Sequence, residues 1–154
     1  MTDQEGMGWT TTSAEETRAV GQSIGQTLSP GDVVLLHGDL GMGKTTLTKG
    51  IADALGVAEE IQSPTFTVVA EYPAPGLGTE CWLVHVDLYR LAGVRDLASI
   101  GLEEVLDRDD AAVVIEWPER SEQISLEAQM LVHINGTGDE RTITVARLQP
   151  ETGH

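Results

Sequence analysis

The stretch Gly38-Asp39-Leu40-Gly41-Met42-Gly43-Lys44-Thr45 constrains this chain more than any other. It fits the phosphate-loop pattern G-x-x-x-x-G-K-[ST] at every position. The apolar run Val33-Val34-Leu35-Leu36 leads into it. A helical pattern from Thr45 to Leu55 leads out. That strand-loop-helix context is what the motif needs. Glycines let the backbone curl so that successive N–H groups converge on one point, and the helix N-terminus adds partial positive charge there. In such a loop Lys44 reaches the β- and γ-phosphates, and the Thr45 hydroxyl is placed to ligate magnesium. The remaining amides that would cradle phosphate belong to Asp39, Leu40, Gly41, Met42, Gly43 and Thr46.

Length and charge narrow the setting. A chain of 154 residues suits one domain with a single core. The formal charge is −16, from 9 basic and 25 acidic residues. Such a surface repels nucleic acid, which is bound through clustered Lys and Arg. The only lysines are Lys44 and Lys49, both at the loop. Cys81 is the only cysteine, which excludes an internal disulfide and fits a reducing compartment. Met1 to Trp9 carries neither a basic n-region nor an apolar h-region, and no stretch approaches membrane-spanning length. These features lead to the expectation of a cytoplasmic protein without a membrane partner.

Along the chain, helical and strand patterns alternate. The expected organisation is a flexible N-terminus over 1–9, a domain over 10–148 and a loose tail over 149–154. Ser13-Ala14-Glu15-Glu16 is a capping-box pattern that predicts a helix to about Leu28. Gly56 reads as the stop of the loop helix. Thr67 to Tyr72 reads as a strand. Trp82 to Leu88 alternates, with Trp82, Val84, Val86 and Leu88 on one face and Leu83, His85 and Asp87 on the other. Asp96 to Leu106 predicts a helix, and Ala111 to Ile115 a strand buried on both faces. Met130 to Ile134 and Thr142 to Val145 are expected to pair through a turn over Asn135 to Asp139. The pattern predicts an α/β fold: a three-layer P-loop NTPase domain with a mixed, mostly parallel sheet, its ligand at the carboxyl ends of the strands.

A phosphate loop alone binds a nucleotide. Hydrolysis also needs a metal held from a second direction and a group that orients water. Two acids end apolar strands: Asp87 after Leu83-Val84-His85-Val86, and Glu116 after Val113-Val114-Ile115. Spacing does not say which holds magnesium and which positions water. Thr65, after Pro64 in a loop beyond the loop helix, stands where GTPases carry a switch threonine. A plain turn residue is the other reading of Thr65. His85 reads as a satisfied strand histidine, since no second His lies at metal-ligand spacing. Arg90 suits a phosphate, a partner protein or a nearby carboxylate, and Trp117 a nucleotide, an interface or the core.

Four motifs then occur in order: the loop extended to Thr46, Ser63-Pro64-Thr65-Phe66, His85-Val86-Asp87-Leu88-Tyr89-Arg90 and Ile115-Glu116-Trp117-Pro118. Together, over roughly Thr10 to Val145, they resemble the TsaE (YjeE) family of bacterial ATPases in tRNA threonylcarbamoyladenosine synthesis. The resemblance implies a P-loop domain that binds ATP and Mg2+ and hydrolyses ATP slowly alone. It implies work with the TsaB–TsaD pair, where TsaD carries the transfer chemistry and ATP hydrolysis resets the complex, with tRNA met only indirectly. By motif, Lys44 and the loop amides hold phosphates, Thr45 and Glu116 hold magnesium, Asp87 is a catalytic acid near the γ-phosphate, and Thr65 sits in a switch-like loop. Met42 replaces the family's common alanine but keeps its N–H. Asn135 to Arg141 departs from the family pattern, and no role carries over to Arg141. Thr12 and Ser13 lie where adenine contacts fall. Two other functions fit a P-loop domain: a small-molecule kinase and a nucleotide-gated regulatory binding protein. A kinase usually needs an arginine-rich lid, and no segment gathers the arginines. The guanine-reading N-K-x-D motif is absent, which argues against a GTPase.

Overall fold

The computed structural model describes residues 6–38, 43–61, 69–87, 102–117 and 130–147. Their elements run β1 (Gly6–Thr11), α1 (Ala14–Gly25), β2 (Val33–His37), α2 (Lys44–Ala54), β3 (Val69–Pro73), β4 (Trp82–Asp87), α3 (Leu102–Leu106), β5 (Ala111–Trp117), β6 (Met130–Thr137) and β7 (Glu140–Arg147). The strands form one sheet in the order β1-β7-β6-β2-β5-β4-β3. The central run β6-β2-β5-β4 is parallel, and the flanking pairs β1–β7, β7–β6 and β4–β3 are antiparallel. The sheet is therefore mixed as expected. Its parallel part is confined to the centre, because the hairpin β6–β7 and the returning strand β3 close the two sides.

Alternation along the strands sorts the core into two layers. Val34 and Leu36 of β2, Ala112 and Val114 of β5, and Leu83 of β4 pack with Val20, Ile24, Leu47 and Ile51 of α1 and α2. Val33, Leu35, Val84, Val86, Val113 and Ile115 pack on the opposite face with Val105 of α3. Helix, sheet and helix make the three layers. Leu47 and Ile51 have no exposed surface. Truncating a side chain of this kind to Ala typically costs ~2–5 kcal/mol.

The helix boundaries follow local chemistry. The Glu16 N–H donates to Ser13 Oγ at 3.1 Å, and the Glu16 carboxylate accepts from the Thr12 N–H at 2.7 Å. This reciprocal arrangement starts α1; such a cap contributes ~0.5–2 kcal/mol. α1 ends at Gly25, short of Leu28, and α2 ends at Ala54, just before Gly56.

Two boundaries differ from expectation. β1 begins at Gly6, ahead of the anticipated domain start, because β7 offers a continuous antiparallel partner from Arg141 to Ala146. Half-buried Trp9 also anchors β1 on the core. The β6–β7 turn is shorter than expected, since Thr137 pairs with Glu140 and only Gly138-Asp139 separates the strands. Asn135-Gly136 looks like a turn pair but lies inside β6. Gly136 is needed there because a Cβ would overlap the carbonyl oxygen of Glu140. The expected strands over Thr67 to Tyr72 and Trp82 to Leu88 and the helix over Asp96 to Leu106 are seen where they fall among the described residues; 62–68, 88–101 and the tail 149–154 lie outside them. Among the described residues no helix is long and apolar enough to cross a membrane.

Candidate functional site

The site gathers at the carboxyl ends of the central parallel strands. β2 ends at His37, Gly38 follows, and α2 starts at Lys44. Gly43 caps α2 with φ 100°, a left-handed conformation that a side chain rarely tolerates, and no side chain caps the helix. The first turn of α2 carries no acid, whereas that of α1 carries Glu15 and Glu16. The two helices are thus opposite in character. α1 neutralises its own positive end, and α2 leaves its end for an anion from elsewhere.

Lys44 is buried, and its Nζ donates to the Gly38 carbonyl at 2.6 Å. The amine thus reaches back to the residue that follows β2. Thr48 Oγ1 donates to the Lys44 carbonyl at 2.9 Å and ties the first turn down. Lys49 goes elsewhere: it pairs with Glu60 at 3.1 Å. Thr45 and Thr46 are half-buried in the same first turn.

Asp87 and Glu116 are brought together. They are register partners at the ends of the parallel neighbours β4 and β5, and Glu116 is also level with Leu36 of β2. Parallel strands lie ~4.8 Å apart. Both acids fall on the strand positions of the face that α2 covers, since Leu83 and Val114 precede them at even spacing in that layer. Both are buried, at 7% and 5% exposure. Glu116 therefore stands on the strand next to β2, which feeds the phosphate loop, and Asp87 one strand further out.

Glu116 has a partner that sequence reasoning missed. Its Oε2 lies 2.7 Å from Nε2 of His85, which is fully buried. The other ring nitrogen, Nδ1, has no hydrogen-bond partner among the described residues. His85 is thus not the satisfied strand histidine anticipated. Leaving a buried polar atom unpaired costs ~1–3 kcal/mol.

A pocket of about 250 Å³ opens beside the start of α2. Gly43 and Thr46 form one wall, Thr12, Ser13 and Thr17 a second, and Asp139 and Arg141 a third. The Thr11 and Thr17 hydroxyls bond to each other at 2.7 Å beneath it. Arg141, given no role from sequence, arrives because β7 pairs with β1 and sets Arg141 opposite Thr11.

Not every candidate residue is described. Asp39, Leu40, Gly41, Met42, Thr65 and Arg90 lie outside the described residues, and the side chain of Trp117 does too. What is described fits a phosphate tail and a hard cation. The phosphate side is a buried ammonium and an uncapped helix end. The residues that would hold a cation are Thr45, through its hydroxyl, and Glu116, through its carboxylate, both oxygen donors of the kind Mg2+ prefers. No cluster of three His, Cys, Asp or Glu side chains occurs among the described residues. Oxygens of a bound phosphate and water would have to complete the shell, as is usual for Mg2+.

Strand order, loop and helix define a P-loop domain of the three-layer α/β class. Comparison with known proteins then narrows the class. The family model of threonylcarbamoyl adenosine biosynthesis protein TsaE matches residues 11–143. The chain is 38% identical over 137 residues to a tRNA threonylcarbamoyladenosine biosynthesis protein TsaE of Bacillus subtilis, covering 88% of this chain and 82% of that protein. It is 39% identical to the protein of that name from Streptomyces coelicolor, over 85% of this chain and 90% of the relative. The crystal structure of Bacillus subtilis YdiB superposes with a TM-score of 0.69 at 32% identity, covering 97% of this chain and 90% of the other. The chain belongs to the TsaE family.

Proposed function

We propose that this protein is a magnesium-dependent ATPase that serves the TsaB–TsaD complex in threonylcarbamoyladenosine modification of tRNA. One observation supports the reading: two buried acids, Asp87 and Glu116, end the neighbouring parallel strands β4 and β5, and β5 lies next to β2, from which the phosphate-loop sequence continues. A domain that only bound phosphate would need the loop and not the acids.

Each residue has a task in this reading. Lys44 and the amides from Asp39 to Thr46 bind and orient the phosphates. The Thr45 hydroxyl and Glu116 hold magnesium, which when bound neutralises charge on the phosphates. Asp87 orients the attacking water and accepts its proton. Thr65 senses the terminal phosphate from its loop. The pocket walled by Thr12, Ser13, Thr46 and Arg141 takes the nucleoside end. The charge of −16 suits contact with protein partners and leaves tRNA to them. Two of the four described arginines are held in ion pairs and offer no lid for a metabolite kinase. Arg18 is engaged with Asp53, and Arg108 with Glu71 and Asp110.

The test is ATP hydrolysis by the purified protein with and without TsaB–TsaD, beside the Lys44→Ala variant. Slow turnover alone, stimulation by the pair and loss in Lys44→Ala are expected. Phosphorylation of a metabolite, with no stimulation by the pair, would replace this reading with the kinase.

A further inference from the structure

We propose that His85 is a positioning residue that fixes the Glu116 carboxylate for metal binding. The inference rests on the reading of Glu116 as a magnesium ligand and extends it to a residue with no role so far. His85 has no exposed surface, and among the described residues its one polar contact is Nε2 to Glu116 Oε2 at 2.7 Å. Nδ1 has none. That asymmetry selects the tautomer. A hydrogen on Nδ1 would be a buried donor without an acceptor, so in the neutral ring it sits on Nε2 and is donated to Glu116.

The geometry is that of a brace. His85 lies level with Val114 in the β4–β5 register, and Glu116 lies level with Asp87. Glu116 therefore reaches back along the strand pair to meet the imidazole. The ring comes from the strand interior, where packing holds it, and grips one carboxylate oxygen. In this arrangement the other oxygen is the one that would meet the cation. A carboxylate with both oxygens unrestrained would rotate about its last torsion and lose part of each productive encounter with a cation. Removing the partner of a metal-binding side chain typically costs 10–100-fold in metal affinity or activity.

Three variants test this: His85→Gln, His85→Asn and His85→Leu. The glutamine amide nitrogen can stand where Nε2 stands, the asparagine amide reaches only the place of Nδ1, and leucine removes both. Two measurements are made on each: calorimetric binding of nucleotide with and without Mg2+, and the Mg2+ dependence of ATP hydrolysis. Thermal unfolding is followed alongside. His85→Leu and His85→Asn should raise the Mg2+ concentration needed for half-maximal hydrolysis by about 10–100-fold. Metal-free nucleotide binding should change less than about threefold, and His85→Gln should recover most of the loss. Should His85→Leu not fold, the Gln and Asn pair decides. Wild-type Mg2+ dependence in folded His85→Asn overturns the proposal. So does an equal defect in Gln and Asn that merely tracks unfolding temperature. Glu116→Ala separates the two levels. If it shifts Mg2+ dependence while His85→Asn does not, only the brace is wrong; if neither does, the assignment of Glu116 falls and takes the brace with it.

Discussion

Lys44 and Lys49 are the only lysines of the chain, and one helix sends them to different tasks. Lys44 turns back to the Gly38 carbonyl, and Lys49 pairs with Glu60. The two acids divide in a similar way. Glu116 is gripped from behind by His85, whereas Asp87 stands at the strand end beside it. On this basis Glu116→Ala should raise the Mg2+ concentration needed for half-maximal hydrolysis. Asp87→Ala should lower the maximal rate with little change in that concentration. Each loss is expected at ~10²–10³-fold in hydrolysis, the usual cost of one oriented polar contact in a transition state. Steady-state hydrolysis over a Mg2+ series measures both. Identical Mg2+ curves for the two variants would show that the roles are not divided this way. The acids themselves were readable from sequence because a carboxylate ending an apolar run needs a reason to be there. Which neighbour each acid would meet was not readable. The His85–Glu116 contact joins different strands, and it exists only because β5 lies between β2 and β4.

Helices α1 and α2 approach closely because glycines face each other. A Cβ at Gly50 would overlap the Arg18 carbonyl oxygen, and one at Gly21 would overlap that of Leu47. Since the obstacles are backbone, the helices must separate to admit a methyl group. Gly50→Ala should therefore destabilise the domain by ~1–3 kcal/mol despite its better helix propensity. Thermal unfolding reads this directly, and an unchanged or raised midpoint would sink it. The same helix pair carries a pH-dependent contact. Arg18 donates to both Asp53 carboxylate oxygens, at 2.6 and 2.8 Å, and Gln22 adds a third bond. The Arg18 hydrogen bonds chiefly hold the Asp53 carboxyl below its usual range. A depressed folded-state value means the contribution is present above the unfolded carboxylate range and is lost as pH falls through the folded one. The gap in unfolding midpoint between the parent and Asp53→Asn should thus be present at neutral pH and close below pH ~4. A gap that persists into stronger acid would assign the effect to packing. At this scale the capping box and the loop helix were legible, since each depends on neighbours in sequence. The β6 glycine was misread because Asn135-Gly136 has the composition of a turn while its reason is close approach to Glu140 on β7.

Taken whole, the chain carries a formal charge of −16, and its only two lysines lie at the phosphate-loop helix. Phosphate-loop spacing made the fold class legible, because few folds place G-x-x-x-x-G-K-[ST] between a buried strand and a helix. The pocket beside α2 was not legible, since three walls come from the two ends of the chain and its middle: Thr12 on one side, Gly43 and Thr46 on the second, Arg141 on the third. Only the β1–β7 pairing closes them around one space. This construction has a thermodynamic consequence. A ligand that occupies cradle and pocket together links β1, α1, α2 and β7, none of which the unfolded chain can align. Ligand binding to the native state alone stabilises by RT ln(1 + [L]/Kd), about 2.7 kcal/mol at a hundredfold excess over Kd. For a domain of this size that is a rise of roughly 5–10 °C in unfolding midpoint. Mg2+ with a non-hydrolysable ATP analogue should produce such a rise in the parent protein, and Lys44→Ala should show little of it at the same concentration. Arg141→Ala, which alters the pocket wall and spares the loop, should fall between the two. An equal rise in all three would mean that the nucleotide stabilises the protein from some other surface, and the cradle at the end of β2 would lose its claim to the phosphates.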